Sequence, residues 1–294
     1  LGQKLYPRYE FFKQVIDVFR ETGQTVPVFF DKHYSVEWWK ARWMVDQARD
    51  LGFPLMAGSV IPLGRHPDCR WLKGRPISKA IGIWNADFSD SKESYGFHAL
   101  ENLQGMVEQR SEVETGIAAV QCLEGDSAWA WTDQHPWSQQ LLASICVSDP
   151  RACPDPLLFV LEYADGLEAV IYRLNEVETQ SDFAALVPGE SEPVVVPTTS
   201  DTPRPVHLPD EVRDRYPVAN HFAAEVHLIE QMLDTGLEPH AAERTLLTTG
   251  TLVALHESSY QPAPNYGRTM QHGRHLTEGM RIVTDHLQIE YRPT

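Results

Sequence analysis

The stretch Val26-Pro27-Val28-Phe29-Phe30-Asp31-Lys32-His33-Tyr34-Ser35 decides how the rest of the chain reads. Residues 26–30 are short, apolar on both faces and rich in β-branched and aromatic types, the pattern of a strand buried inside a sheet. The strand ends in three functional side chains, Asp31, Lys32 and His33. Ser35 is a good N-cap, so a helix follows at once. In an open α/β sheet, ligands bind in the crevice at the carboxyl ends of the strands. A lysine placed there, between a carboxylate and an imidazole, is a candidate for chemistry.

Around this strand the local signals alternate. Residues 9–21 carry Phe12, Val15, Ile16, Val18 and Phe19 at helical spacing, and Gly23 stops the helix. Residues 36–51 form the next helix, with Trp39, Trp43, Val45 and Ala48 as core candidates and Gly52 as its end. Packing is favoured over a sugar platform for the tryptophans Trp38, Trp39 and Trp43. Residues 54–58 are a second buried strand. Helix, strand, helix, strand is the back half of a doubly wound parallel sheet, assigned to residues 1–64. The chain opens with Leu1 in what reads as mid-domain, so it is expected to be a piece of a longer polypeptide. Further strands would come from upstream or from another chain.

Residues 65–294 read differently. The Pro-, Gly- and Arg-rich residues 62–75 are a crossover, and 77–88 a strand with Ile81, Ile83 and Trp84 in the core. Residues 93–101 open a helix that reaches about residue 108. Strands are expected at 117–123 and 128–131 around the turn Glu124-Gly125-Asp126, with a helix at 135–144. Residues 157–163 and 167–173 form a hairpin on Asp165-Gly166. Residues 189–209 hold five prolines and read as a surface excursion. A helix at 220–235 presents Phe222, Val226, Ile229 and Leu233 on one face. Another at 239–258 contains Gly250, whose cost of about 1 kcal/mol against Ala points to close packing. Residues 259–279 are a polar loop and 280–291 a last strand. Strands joined by hairpins predict an open, mostly antiparallel sheet with helices on one face.

Charge and cysteine usage narrow the partners. The net charge is −16, from 41 acidic and 25 basic residues, which argues against nucleic acid or an anionic membrane surface as main partner. No run of about 18 apolar residues exists to span a membrane, and no signal peptide is visible. Cys69, Cys122, Cys146 and Cys153 are widely spaced with no C-x-x-C pair, so they read as incidental thiols in a reducing, cytoplasmic setting.

Candidate chemistry centres on Lys32 and His98. Oxidising an alcohol needs a group to take or relay the hydroxyl proton, and a strand-end lysine can do so if its surroundings lower its pKa. His98 lies at a helix start behind Gly96, and its charge changes near physiological pH. Asp31 and His33 flank Lys32 and could contact cofactor or substrate. Tyr95 could stack on a sugar or pack in the core. His272-Gly273-Arg274-His275 invites a metal reading, but a lone His-x-x-His is weak. A substrate-contacting loop, or a plain solvated one, is favoured, and no metal is expected.

In order and spacing these features resemble the Gfo/Idh/MocA family of sugar oxidoreductases. Asp31-Lys32-His33 stands at the family's Glu-Lys-Pro position. Leu55-Met56-Ala57-Gly58 matches the next strand, and Gly96, His98 and Glu101 fit the Asp-x-Gly-x-His motif with its acidic residue three further on. Glu162-Tyr163-Ala164-Asp165-Gly166 resembles the family hairpin. The resemblance implies a partial Rossmann-like domain (1–64) and a C-terminal α/β domain (65–294) for substrate binding and oligomerisation. It implies NAD or NADP as cofactor and a sugar, polyol or glycoside as substrate. Lys32 and His98 would be catalytic, with Asp31 and Lys32 on the cofactor. His33, Tyr95, Glu101 and His275 would contact substrate, and the open sheet would pair two copies. The sequence departs from the family at Asp31, at His33, and at Ser94, which replaces an Asp and has Glu93 beside it. It also holds no Gly-x-Gly-x-x-Gly turn for a pyrophosphate. Two alternatives stay open: a catalytically silent binding or assembly protein, and a lyase or hydrolase that uses transient oxidation.

Overall fold

The computed structural model describes residues 5–64, 72–85, 92–196, 220–262 and 273–293. Cys69, His272, the middle half of the expected crossover, the end of the 77–88 strand and the later part of the 189–209 excursion lie outside them.

The opening unit forms as its local signals predict. Helix α1 (Arg8–Thr22) closes on Gly23, whose φ of 66° lets its N–H reach Phe19 O. Strand β1 (Val28–Asp31) runs parallel to β2 (Leu55–Gly58), with Val28 opposite Leu55 and Asp31 opposite Gly58. Helix α2 (Trp38–Leu51) connects them and closes on Gly52 in the same left-handed conformation. Phe12, Ile16, Phe19 and Phe53 pack beneath the two strands. Trp39 is 56% exposed, so it is not a core residue; Tyr9 meets it and Trp43 edge-on instead.

The second unit is a seven-stranded sheet. Its strands are β3 (Lys79–Trp84), β4 (Ile117–Glu124), β5 (Leu157–Tyr163), β6 (Glu168–Arg173), β7 (Phe183–Leu186), β8 (Val194–Val195) and β11 (Ile282–Val283). Their order is β11-β4-β5-β6-β3-β7-β8, antiparallel except for the β3–β6 pair. Alternate residues face opposite layers. Ala80, Phe159, Ile171 and Phe183 point to α3 (Tyr95–Val107) and α7 (Ala242–Ser258) in a core continuous with that of the first unit. Gly250 of α7 does mark close packing: an added Cβ would stand 2.8 Å from the Trp38 ring.

Ile81, Leu158, Val170 and Tyr172 face the other way, where α4 (Asp126–Gln134) and α5 (Pro136–Ile145) cover them. The sheet therefore carries a second helical layer, and that layer occupies part of the face expected to meet a second copy. It arises because residues 128–131, read as a strand from their Ala-Trp-Ala-Trp alternation, are helical. Ala128 and Thr132, one turn apart, are the buried pair, and Gly125 turns the chain out of β4 at φ 57°.

Two further expectations change. The last strand is only Ile282–Val283, after which the chain makes a 3-10 turn at Asp285–Leu287 and returns as a bridge between Tyr291 and Glu114. Helix α6 (Asn220–Thr235) buries Ala224, Leu228 and Met232 against Met56 and Leu63. Phe222, Val226 and Leu233 are each more than half exposed. Both apolar stripes have helical period, and the smaller one fits the surface beside β2. The remaining strands are β9 (Tyr260–Pro262) and β10 (Gly273–His275), an antiparallel pair inside the expected polar loop. No described helix is long and apolar enough to cross a membrane.

Candidate active site

The carboxyl ends of β1 and β2 open into a cleft of about 420 Å³. Lys32 is left-handed, φ 74°, an uncommon state for a residue with a side chain. Such a conformation costs on the order of 1–3 kcal/mol and persists where its surroundings over-determine it. Here Lys32 N donates to Gly58 O at 2.9 Å and Gly58 N to Lys32 O at 3.1 Å. The turn directs the ammonium to Asp31, whose carboxylate oxygens lie 2.8 and 3.0 Å from Nζ.

His98 approaches from α3. Its Nδ1 lies 2.6 Å from the hydroxyl of Ser59, the residue after β2. Burial, helped by the Lys32 ammonium and opposed by Asp31, pushes the imidazole down to about 4, so the ring is neutral near pH 7. Tyr95, at the rim, holds its ring 6.2 Å from that of His98. Val60, Ile61, Ile83 and Trp84 give the cleft an apolar wall.

Asp31, Lys32, Tyr95 and His98 thus share one cleft, although the sequence supplies them from two units. Three other predicted residues stand elsewhere. Glu101 is fully buried beneath the cleft, where Ser59 N donates to it at 3.2 Å and the Thr248 hydroxyl donates to its other oxygen. Burial pushes its carboxyl up, against Arg244 and these donors. His33 is buried, with Nε2 2.9 Å from one oxygen of Glu93, while His256 Nε2 meets the other at 2.9 Å. Burial alone would raise Glu93; the two imidazoles overcome it and hold the carboxyl at about 2. Glu93 therefore serves His33 and His256 and does not stand in for the aspartate that Ser94 replaces. His275 sits on β10, 2.9 Å from Glu124, outside the cleft lining. Among the described residues no three His, Cys, Asp or Glu side chains are grouped to hold a metal.

The cleft also contains residues the sequence reading missed. Asn102, one helical turn beyond His98, donates to Asp182 at 3.3 Å, and both line the cleft. Spacing could have found Asn102; nothing local marks Asp182, which lies just ahead of β7. His221 enters from the start of α6. Glu225, one turn later and outside the cleft lining, is raised to about 7 by burial and by Asp31, against the pull of Lys32.

No protein-family model and no curated protein matches the sequence. Comparison with solved structures does find the fold. The myo-inositol 2-dehydrogenase of Lactobacillus plantarum matches at 12% identity and TM-score 0.54, over 87% of this chain and 76% of that one. The apo scyllo-inositol dehydrogenase of Lactobacillus casei matches at 13% and 0.52, over 86% and 74%. An oxidoreductase from Agrobacterium radiobacter, in complex with NAD+, L-tartaric acid and magnesium, matches at 11% and 0.52, over 87% and 75%. The chain has the fold of these Gfo/Idh/MocA-type oxidoreductases.

Proposed function

We propose that the chain is the catalytic part of a nicotinamide-dependent oxidoreductase acting on a hydroxyl of a sugar, polyol or glycoside. Residues 1–64 would form the cofactor side and 65–294 the substrate side. One observation carries the reading: Lys32 and His98, from separate units, line the same cleft at the carboxyl ends of parallel strands.

The residues present fit the reacting end of NAD or NADP. Asp31 and Lys32 stand at the strand ends, and the apolar wall of Val60, Ile61, Ile83 and Trp84 suits a flat ring. They supply no pyrophosphate cradle. When bound, such a cofactor supplies a hydride acceptor. Lys32 and His98 engage the substrate hydroxyl and handle its proton, and Asp31 holds the Lys32 ammonium in place. Asn102 and Asp182 offer a donor and an acceptor for neighbouring hydroxyls. The fold of inositol dehydrogenases agrees with a polyhydroxylated substrate.

The departures at His33 and Ser94 favour a second reading, a binding protein without turnover, because Glu93, the acid beside Ser94, is committed to a buried pair of histidines. Titration of the longest natural form of the protein with NAD and NADP, followed by a polyol panel monitored for reduced nicotinamide, separates the two. Binding with turnover supports the oxidoreductase. Failure to bind either nucleotide at millimolar concentration removes it.

A further inference from the structure

We propose that Ser59 is the positioning residue of this site: it holds His98 as the tautomer whose Nε2–H faces the cleft. His98 then serves the substrate oxygen as a hydrogen-bond donor, and the hydroxyl proton leaves to the Asp31 carboxylate that is paired with the Lys32 ammonium. The division of roles rests on the oxidoreductase reading; the tautomer rests on hydrogen bonding alone.

The Ser59 hydroxyl has one hydrogen to give and two lone pairs. It is buried, the residue being 2% exposed. One lone pair accepts from Ile61 N at 3.0 Å. The remaining polar atom within reach among the described residues is His98 Nδ1, at 2.6 Å. Two assignments fit that distance. If Nδ1 carried the hydrogen and donated to Oγ, the Ser59 O–H would be buried with no acceptor, a rare and costly state. If Ser59 donates to Nδ1, both groups are satisfied and the ring hydrogen sits on Nε2. That nitrogen has no partner among the described residues and belongs to a ring that lines the cleft.

Ser59 is itself fixed. Its N–H is held by Glu101, and Glu101 can come this close because Gly58 has no side chain; an added Cβ would stand 2.6 Å from Glu101 Oε2. Gly58 in turn carries the two backbone bonds to Lys32. The dipeptide Gly58-Ser59 therefore spaces Lys32 against His98. The charged and titratable groups around the imidazole are Lys32, Asp31 and His221, with Tyr95 beside the ring, and burial keeps the imidazole neutral.

Nitrogen-15 NMR of the histidine-labelled full chain reads the tautomer without any assay of activity. The signal lost in His98→Gln should show a protonated Nε2 and a bare Nδ1 between about pH 6 and 8. Ser59→Ala should relax that preference and Ser59→Thr should keep it. A wild-type ring protonated at Nδ1 overturns the proposal. In turnover, Ser59→Ala should lower kcat about tenfold, the scale of one hydrogen bond, with KM nearly unchanged. Ser59→Thr should restore it, and an effect on KM alone overturns the positioning role. Absence of any nicotinamide-dependent turnover removes the oxidoreductase reading instead, leaving the NMR result to decide the tautomer.

Discussion

His33 Nε2 and Glu93 Oε1 meet at 2.9 Å in the interior, joining the turn after β1 to the segment that opens α3. His33 departs from the family pattern the sequence resembles, and Glu93 adjoins a second departure, Ser94; in the fold the two segments meet. His256 completes the arrangement from α7.

Glu93 should be a stability residue with a definite pH signature. Its folded carboxyl sits at about 2 against an ordinary 4.5, so its contribution is present above about pH 4.5 and is lost as the pH falls through 2. Glu93→Gln should cost about 2–3 kcal/mol at pH 7. Urea unfolding of both proteins at several pH values checks this; the gap should close between pH 4.5 and 2.

Lys32 separates chemistry from backbone strain. Lys32→Ala should lower turnover about a hundredfold or more. Lys32→Gly should be equally inactive but about 1 kcal/mol more stable than Lys32→Ala, because glycine relieves the φ of 74°. Thermal unfolding of the two variants, side by side with their activity, tests both statements.

Gly250→Ala reverses the usual sign of a helix substitution. Alanine gains about 1 kcal/mol in helix propensity. Here its methyl would press on Leu287 and on the Trp38 ring. A net loss of about 1–3 kcal/mol is expected from overpacking, measured by denaturant midpoint. A gain in stability would mean that Trp38 yields.

Glu225 offers the opposite pH dependence to Glu93. Burial and Asp31 hold its folded carboxyl up at about 7, so the unfolded chain ionises first, and stability is lost as pH rises from about 4.5 to 7. Glu225→Gln should therefore stabilise the protein at pH 8, by about 1–2 kcal/mol after allowance for solvent screening, and change little at pH 4. Equal shifts at both pH values would remove Glu225 from the electrostatics of the cleft.

Several elements were legible because their causes act over a few residues. Gly23 and Gly52 end α1 and α2 where an L side chain would be strained. The turn at Asp165-Gly166 sets the β5–β6 hairpin. Residues 128–131 were misread as a strand, and helix α6 was read with its bounds but not its buried face. A short apolar pattern does not state which surface will cover it, and in α6 it is the smaller stripe that packs.

The site divides along the same line. Lys32 and His98 stood out in the chain, since a cation at a strand end and an imidazole at a helix start carry chemistry in their immediate neighbours. Their meeting, the bond from Ser59 to His98, the burial of Glu101 and the entry of Asp182 and His221 were decided by packing. Hydrogen bonding and desolvation depend on which segments the core brings into contact, and those segments are far apart along the chain.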